Sequence, residues 1–530
     1  MLFTSYSFIL FLGIVVFLYY IIPKKQQWHF LLLASYAFYF LARPIYLFYI
    51  IVTTITIWFT AKKIQHQKEC FKIRYEESKN KFDREQRKQV KEKERKKEFR
   101  LMLFCILLNI GILAVVKYTN FTIANINSMF RLFRISKELS FVNMIVPMGI
   151  SFYTFRSIGY LIDVYFGKYS AEENIFKFAL FVSFFPQLIQ GPISRFNELS
   201  ESLFESHKAE WKNISFGLER ILWGFFKKLV IADRIFPAVK MITNDTETYK
   251  GAFVFVGMMF YALQLYADFT GGIDITIGTA QMLGVSITEN FKRPYFSKNV
   301  KEYWRRWHIT MGTWFKDYIF YPVSVCKPML KINKFSRKHF GEKIGKRITV
   351  WISTFIVWFT TGIWHGASWN YIAWGLGNFV LIMISQEFEP FCRWFHRKFH
   401  VGNKWYFNMF RIIRTIFLMS CLRMFDCYRN VRITFKMFGS MFVDFHISDL
   451  TTKAFMSFGI SGYDYLILVA GLFLLIMVSL FQRKGSVREQ IMRLKAPMRF
   501  VLWYGLFLSV LIFGAYGIGY DVSQFIYNQF

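Results

Sequence analysis

Ile348-Thr-Val-Trp-Ile-Ser-Thr-Phe-Ile-Val-Trp-Phe-Thr-Thr-Gly362-Ile-Trp364-His365-Gly-Ala-Ser-Trp369-Asn370-Tyr-Ile-Ala-Trp-Gly-Leu-Gly-Asn-Phe-Val-Leu-Ile-Met-Ile-Ser-Gln386 contains no acid, lysine or arginine. It is long enough for two membrane passes, because one helix needs about 20 apolar residues to cross the hydrocarbon. His365 interrupts it. An ionisable side chain at membrane depth is costly and by default marks function. Around it, Gly362, Gly366, Ala367 and Ser368 let backbones approach closely, and Trp364 and Trp369 are placed to wall the imidazole.

The same reading extends outward. The chain has 530 residues, 54% of them hydrophobic, 65 of them Phe, and a mean hydropathy of +0.28. A soluble domain of this composition would leave apolar surface uncovered. The expected fold class is all-α: a polytopic membrane protein of about 10–12 transmembrane helices, with re-entrant and interfacial helices around a central funnel. Apolar runs lie near 6–22, 28–42, 45–61, 101–117, 140–165, 174–192, 251–285, 348–364, 367–386, 406–422, 464–481 and 499–518. No internal repeat or separate soluble domain is visible, so residues 1–530 read as one membrane domain. The first apolar run lacks a preceding basic region and a following cleavage site, and reads as a retained span.

A net charge of +33 would suggest nucleic acid in a soluble protein. Here the cations sit between apolar runs, where positive-inside topology accounts for them, so no nucleic-acid partner is expected. Residues 62–100 carry 11 Lys and 5 Arg against 8 acids, a net +8. They read as a cytoplasmic loop, either a solvated helix or disordered. Residues 211–236 are amphipathic and suit an interfacial or partly re-entrant helix. Membrane lipid is the implied surroundings. The six cysteines form no CxxC pair and no zinc spacing with histidine, so no metal site is expected.

Three further blocks could carry chemistry. Wound as one helix, Glu302-Tyr-Trp304-Arg305-Arg306-Trp307-His308-Ile-Thr-Met311-Gly-Thr313-Trp-Phe315-Lys-Asp317 would place Trp304, Trp307, His308, Met311 and Phe315 on one face. Glu302, Arg306, Thr313 and Asp317 would share another. His308 would then be an imidazole in an apolar groove beside arginines, kept neutral and able to accept a proton. Tyr261 to Asp274 sets Gln264, Asp268, Gly271, Gly272 and Asp274 inside an apolar run. The carboxylates do not share a face, and Asp268 is expected to pair with an arginine or an imidazole. Phe184-Phe-Pro186-Gln-Leu-Ile-Gln190-Gly191-Pro192 is irregular backbone that survives at membrane depth only where protein buries it or it lines a cavity. Ser151 lacks the second glycine of a nucleophile elbow. Gly341 to Arg347 is one residue short of a P-loop. Thr313 and Asn370 stand where a His-x4-Asp motif would need aspartate.

In order and spacing, several blocks resemble the membrane-bound O-acyltransferase (MBOAT) family, in the bacterial polysaccharide branch that includes the alginate O-acetyltransferase membrane subunit. They are Met148-Gly-Ile-Ser-Phe-Tyr-Thr-Phe155, Phe184-Phe-Pro-Gln187 with Gly191-Pro192, Asp268-Phe with Asp274, Asn290-Phe-Lys-Arg-Pro-Tyr295, Trp304-Arg-Arg-Trp-His308 and Gly362 to Trp369. The series covers roughly residues 1–440. The 62–100 insert departs from the common pattern. So does Leu422-Arg423-Met-Phe-Asp426, which lacks the usual adjacent aromatics.

The resemblance implies that His365 is the catalytic histidine and His308 the second active-site histidine. Donor or substrate contacts are then expected from Trp304, Arg305, Arg306, Trp307, Trp364 and Asn370. It implies no permanently bound cofactor. An acyl thioester, acetyl-CoA or an acyl carrier protein, would be the cytoplasmic donor, and an extracytoplasmic polysaccharide the acceptor. An extracytoplasmic acyl-handling protein would be the accessory partner, and the cytoplasmic membrane of a bacterium the location. Acetyl is the expected acyl group, because members that move D-alanine onto teichoic acid are generally shorter. Rival readings are that D-alanyl transfer, a transporter of lipid-linked sugars, or a non-catalytic scaffold of an export machine.

Overall fold

The computed structural model describes residues 3–78, 83–402 and 404–516. Those residues are helices and connections, with no strand among them, so the chain is an all-α membrane protein. Six described helices are long and apolar enough to cross a membrane: Ile45–Glu77, Arg84–Leu132, Ala252–Met282, Lys327–His365, Gly462–Lys484 and Ala496–Phe513. This is fewer than the 10–12 expected, because an apolar run need not be one long helix. Tyr6–Ile21 and Gln27–Ala42 have 16 residues each, about 24 Å at 1.5 Å per residue. The 174–192 run yields an α-helix over Ile175–Ser183 and one 3-10 turn over Phe185–Gln187.

The chain packs as two compact units. The first comprises the residues up to Ile214 with Thr279–Thr288. Here the basic 62–100 segment is mostly neither separate nor irregular. It is the continuation of two membrane helices, Ile45–Ser78 and Arg84–Leu132. Asp83 starts the second with a reciprocal cap, accepting from the Gln86 N–H at 2.7 Å while its own N–H donates to Gln86 Oε1 at 3.1 Å. Two backbone donors are thereby satisfied where the helix begins. A 49-residue helix is about 73 Å long, so its charged end continues well beyond a hydrocarbon layer about 30 Å thick.

The irregular stretch around Pro186 is buried in protein, as its composition requires. Arg156 donates to Gln187 Oε1 at 2.8 Å and to the Val182 carbonyl at 2.7 Å. Gln187 Nε2 donates to Ser194 at 2.6 Å. Gly149 has φ 72°, and a Cβ there would lie 1.9 Å from the Leu188 carbonyl oxygen.

The second unit comprises Ser215–Gly278 and the chain from Glu289 onward. In its part of Ala252–Met282 the Gly271-Gly272 pair does not break the helix. It admits close packing: a Cβ on Gly271 would meet the Gly224 carbonyl oxygen at 2.9 Å, and one on Gly278 the Gly217 oxygen at 2.6 Å. The amphipathic 211–236 segment forms Trp211–Phe225, a widened turn over Phe226–Ala232, and the start of Asp233–Asn244. Lys227 and Lys228 in that turn are buried, which departs from an interfacial helix with its cations in water. They are tolerated inside because carboxylates meet them there.

Candidate active site

The deciding stretch folds as a helical hairpin in the second unit. Lys327–His365 bends at Gly341 (φ 77°) and then runs unbroken to His365. Gly366 is extended, and Trp369–Glu387 returns alongside. Glycine sets the closeness of the two helices. A Cβ on Gly362 would lie 2.6 Å from the Tyr371 carbonyl oxygen, and one on Gly375 2.4 Å from that of Trp358. Arg347 and Glu387 pair at the other end of the hairpin.

His365 is buried at the tip. Its ring meets Trp374 edge-on with centroids 4.5 Å apart, Trp364 at 5.2 Å and Tyr371 at 6.5 Å. The expected tryptophan wall is therefore present in a different form. Trp364 supplies one side, Trp374 another, and Trp369 is 57% exposed.

His308 departs from the continuous helix expected over 302–317. Helix Val300–Arg306 ends before it, and Ile309–Phe315 starts after it. His308 itself has φ 49°, left-handed backbone that is uncommon outside glycine. The single apolar face drawn on one helix does not exist, since the chain turns at His308. The imidazole is nevertheless buried among rings: Phe269 at 5.1 Å, Phe291 at 6.4 Å and Trp364 at 6.2 Å between centroids. Burial, and then the Arg423 guanidinium, push its pKa down to about 3. The ring is neutral at pH 7. Trp364 touches both imidazoles.

Arg423 completes the cage. Its stretch departs from the family pattern in sequence, and it is not among the expected site residues. It is buried, pairs with Asp426 at 2.9 Å, and lies over Trp374 at 5.0 Å, Trp307 at 5.1 Å and Trp304 at 5.9 Å. Trp304 in turn packs edge-on against Trp358 and Trp374. A guanidinium held on aromatic faces is stabilised by their quadrupoles, the more so when desolvated. The sequence signal was an arginine just after the 406–422 apolar run, followed three residues later by an acid.

The other expected contacts divide. Trp307 is buried, stacked on Tyr303. Arg305 is exposed. Arg306 is engaged by Glu302 and the Arg293 carbonyl. Asn370 Nδ2 donates to the Phe425 carbonyl at 3.1 Å, tying the returning helix to Trp405–Tyr428. Where an arginine or an imidazole was expected beside Asp268, a lysine is found. Asp268 meets Lys228 at 2.7 Å, and Lys228 also meets Asp233 at 2.7 Å. Asp274 is held by Lys227 at 2.5 Å and Arg220 at 2.9 Å. The lysines were visible in sequence, but helical spacing did not say that they turn inward.

Residues 169–428 match the model of the membrane-bound O-acyltransferase family. A probable alginate O-acetylase of Pseudomonas syringae is 31% identical, over 66% of this chain and 62% of that protein. A peptidoglycan O-acetyltransferase of Helicobacter pylori is 27% identical over 56% of this chain and 57% of its own length. A teichoic acid D-alanyltransferase of Bacillus subtilis is 28% identical over 50% and 64%. The chain thus spans less than two thirds of each of these relatives. The family match takes in His308, His365 and Arg423, and similarity near 30% reaches across two thirds of the chain, which makes this protein a member of the membrane-bound O-acyltransferase family.

Proposed function

We propose that this protein is an acyltransferase that moves an acyl group, acetyl in the first instance, from a thioester to a hydroxyl of a cell-surface polysaccharide. The observation that carries the reading is Trp364 in edge-on ring contact with two buried imidazoles. In this scheme the acceptor oxygen attacks the thioester carbonyl carbon as His365 takes the hydroxyl proton. The tetrahedral centre collapses, the C–S bond breaks, and the leaving thiolate recovers the proton from the imidazolium. His308, Trp304, Trp307 and Trp364 line the place where the acyl group would sit, and Asn370 supports it from behind.

Charge along the hairpin supports a donor from the cytoplasm and an acceptor outside a bacterial cytoplasmic membrane. Lys343, Lys346 and Arg347 lie in the first turns of the rising helix after its bend at Gly341, and Arg393, Arg397 and Lys398 follow the returning one. The positive-inside rule assigns both ends to the cytoplasm. His365 lies 17 residues beyond Ile348 on an unbroken helix, about 26 Å along the axis. That favours an imidazole near the far side, reached by donor through the protein and by glycan, or an acyl-handling accessory protein, from without. Arg305 is the exposed cation beside this path for phosphates of acetyl-CoA or acids of a carrier protein.

The test is transfer from labelled acetyl or D-alanyl thioesters to glycan oligomers by the purified protein and its His365→Ala variant. Loss of transfer in a normally inserted variant is expected, and it separates an enzyme from a transporter or scaffold. Wild-type transfer by the variant overturns the assignment. Orientation is checked with Lys72→Cys in a background without native cysteines. Labelling of that cysteine by impermeant reagents in intact cells would reverse it.

A further inference from the structure

We infer that Asn290 is a positioning residue that holds His308 as the Nδ1–H tautomer, so that its Nε2 serves as a hydrogen-bond acceptor. Asn290 sits at the start of a motif to which neither the sequence reading nor the proposed function gives a role. Its side chain and backbone together clasp the loop that turns at His308. The Asn290 carbonyl accepts the Ile309 N–H at 2.9 Å. Asn290 Oδ1 accepts the Thr310 N–H at 3.1 Å and the Thr310 hydroxyl at 2.9 Å. The same Oδ1 lies 3.2 Å from His308 Nδ1.

The Thr310 N–H decides which way the Asn290 amide faces. A backbone amide can only donate, so the side-chain atom facing it must be the amide oxygen. Were Asn290 turned over, two donors would face each other inside a fully buried loop, since Asn290 has 0% exposure and an unmade hydrogen bond there costs about 1–3 kcal/mol. Asn orientation is ordinarily ambiguous, and here the backbone resolves it. An amide oxygen cannot donate either. His308 Nδ1 must therefore carry a hydrogen. In a neutral imidazole the other nitrogen then holds the lone pair.

The clasp also accounts for the backbone. Left-handed φ at a non-glycine residue costs on the order of 1–2 kcal/mol. The four hydrogen bonds that this one asparagine accepts offset that cost, and the one from His308 fixes the direction of the ring. The chemical consequence narrows the role of His308. An Nε2 lone pair takes a hydrogen bond from a hydroxyl, a thiol or another N–H. It does not donate one to a carbonyl oxygen, so His308 does not polarise the thioester as a neutral donor. This consequence for turnover rests on the proposed acyl transfer, whereas the tautomer itself does not.

The experiment uses the full-length protein in lipid nanodiscs with 15N-labelled histidine. The His308 resonances are identified as those missing from His308→Gln. A protonated Nδ1 and an unprotonated Nε2 are expected at pH 7. A protonated Nε2 overturns the inference. Asn290→Ala should mix the tautomers, whereas Asn290→Asp, whose carboxylate still accepts from both groups, should keep Nδ1–H. An unchanged tautomer in Asn290→Ala removes asparagine as its cause. Should Asn290→Ala fail to fold, His308 itself supplies the test. Glutamine brings its amide oxygen to the Nε2 position and asparagine only to the Nδ1 position, so His308→Gln should retain about tenfold more kcat than His308→Asn, within the span typical of one positioned group. The opposite order overturns the acceptor role. If the tautomer stands and neither variant alters transfer, it is the proposed function of the cage that fails, not the assignment of the proton.

Discussion

Two polar regions of the second unit bury their charges in opposite ways. Around Asp268 and Asp274, each carboxylate is met by lysine or arginine, in two clusters: Lys228 with Asp268 and Asp233, and Asp274 with Lys227 and Arg220, the last reaching on to Glu289. Around His365, polar groups rest mainly on ring faces, and Arg423 with Asp426 is the ion pair. The first arrangement settles a folding problem, because a buried charge left unpaired is very expensive. The second arrangement spends large aromatic side chains on holding two imidazoles and one guanidinium in place. Removing a member of the first should therefore cost stability, and removing a member of the second should cost chemistry.

The largest effect that would break this contrast is at His365. His365→Ala should lower kcat by about 10²–10⁴-fold, the usual contribution of a positioned base, with an unchanged melting temperature in nanodiscs. A large drop in melting temperature with retained turnover would make the cage structural. Asp268→Ala should do the reverse. It leaves Lys228 with less compensation and should destabilise by about 3–5 kcal/mol, as for one partner removed from a buried pair. Lys228→Met with Asp268→Leu should recover much of that loss. Thermal unfolding of the three variants checks it.

The next effect separates the two regions by pH. His308 is driven from its ordinary 6.5 down to about 3 by burial and by Arg423. Below 6.5 the unfolded chain takes up a proton that the folded chain refuses, so stability falls as pH drops from 6.5 towards 3. The slope approaches 1.4 kcal/mol per pH unit. Compared at pH 7.5 and pH 5, wild type should lose more stability than His308→Gln. Parallel losses would mean that the folded protein protonates His308. A smaller effect is expected for Arg423→Lys. Lysine keeps the charge but lacks the planar group that lies on Trp304, Trp307 and Trp374, and kcat should fall about tenfold, somewhat less than one cation–π contact is worth at a desolvated site.

Parts of this contrast were legible in the sequence because they are local. A lone histidine in an uncharged run, and small residues beside it, are visible by inspection, and the hairpin around His365 formed where they stood. The charge of 62–100 was equally plain, but the choice between a solvated helix and disorder was not, since a helix polar on all sides has no periodicity to read. The turn at His308 could not be read because a left-handed non-glycine residue follows from contacts made by Asn290, 18 positions away. The surroundings of Arg423 stayed hidden for the same reason. Two of its tryptophans come from the end of Val300–Arg306 and the third from Trp369–Glu387, and only tertiary folding brings them to one guanidinium.

The smallest effect sharpens the border of the cage, where Arg305 and Arg306 lie side by side in sequence and differ in surroundings. Arg306 is half-buried and committed to Glu302 and to the Arg293 carbonyl. Arg305 is exposed and joins no ion pair among the described residues. An anionic donor can recruit Arg305 without breaking an existing contact, whereas recruiting Arg306 requires displacing Glu302. Arg305→Ala should therefore raise the KM for donor about threefold, the size of a modest exposed charge contact, and leave the KM for acceptor unchanged. The increase should shrink as salt approaches 0.5 M, because exposed charges are already screened over about 8–10 Å at ordinary ionic strength. Arg306→Ala should instead lower stability slightly and change neither constant. Single-turnover measurements with each substrate varied in turn distinguish the two. A rise in the acceptor constant alone for Arg305→Ala would place glycan, not donor, on that side of the cage.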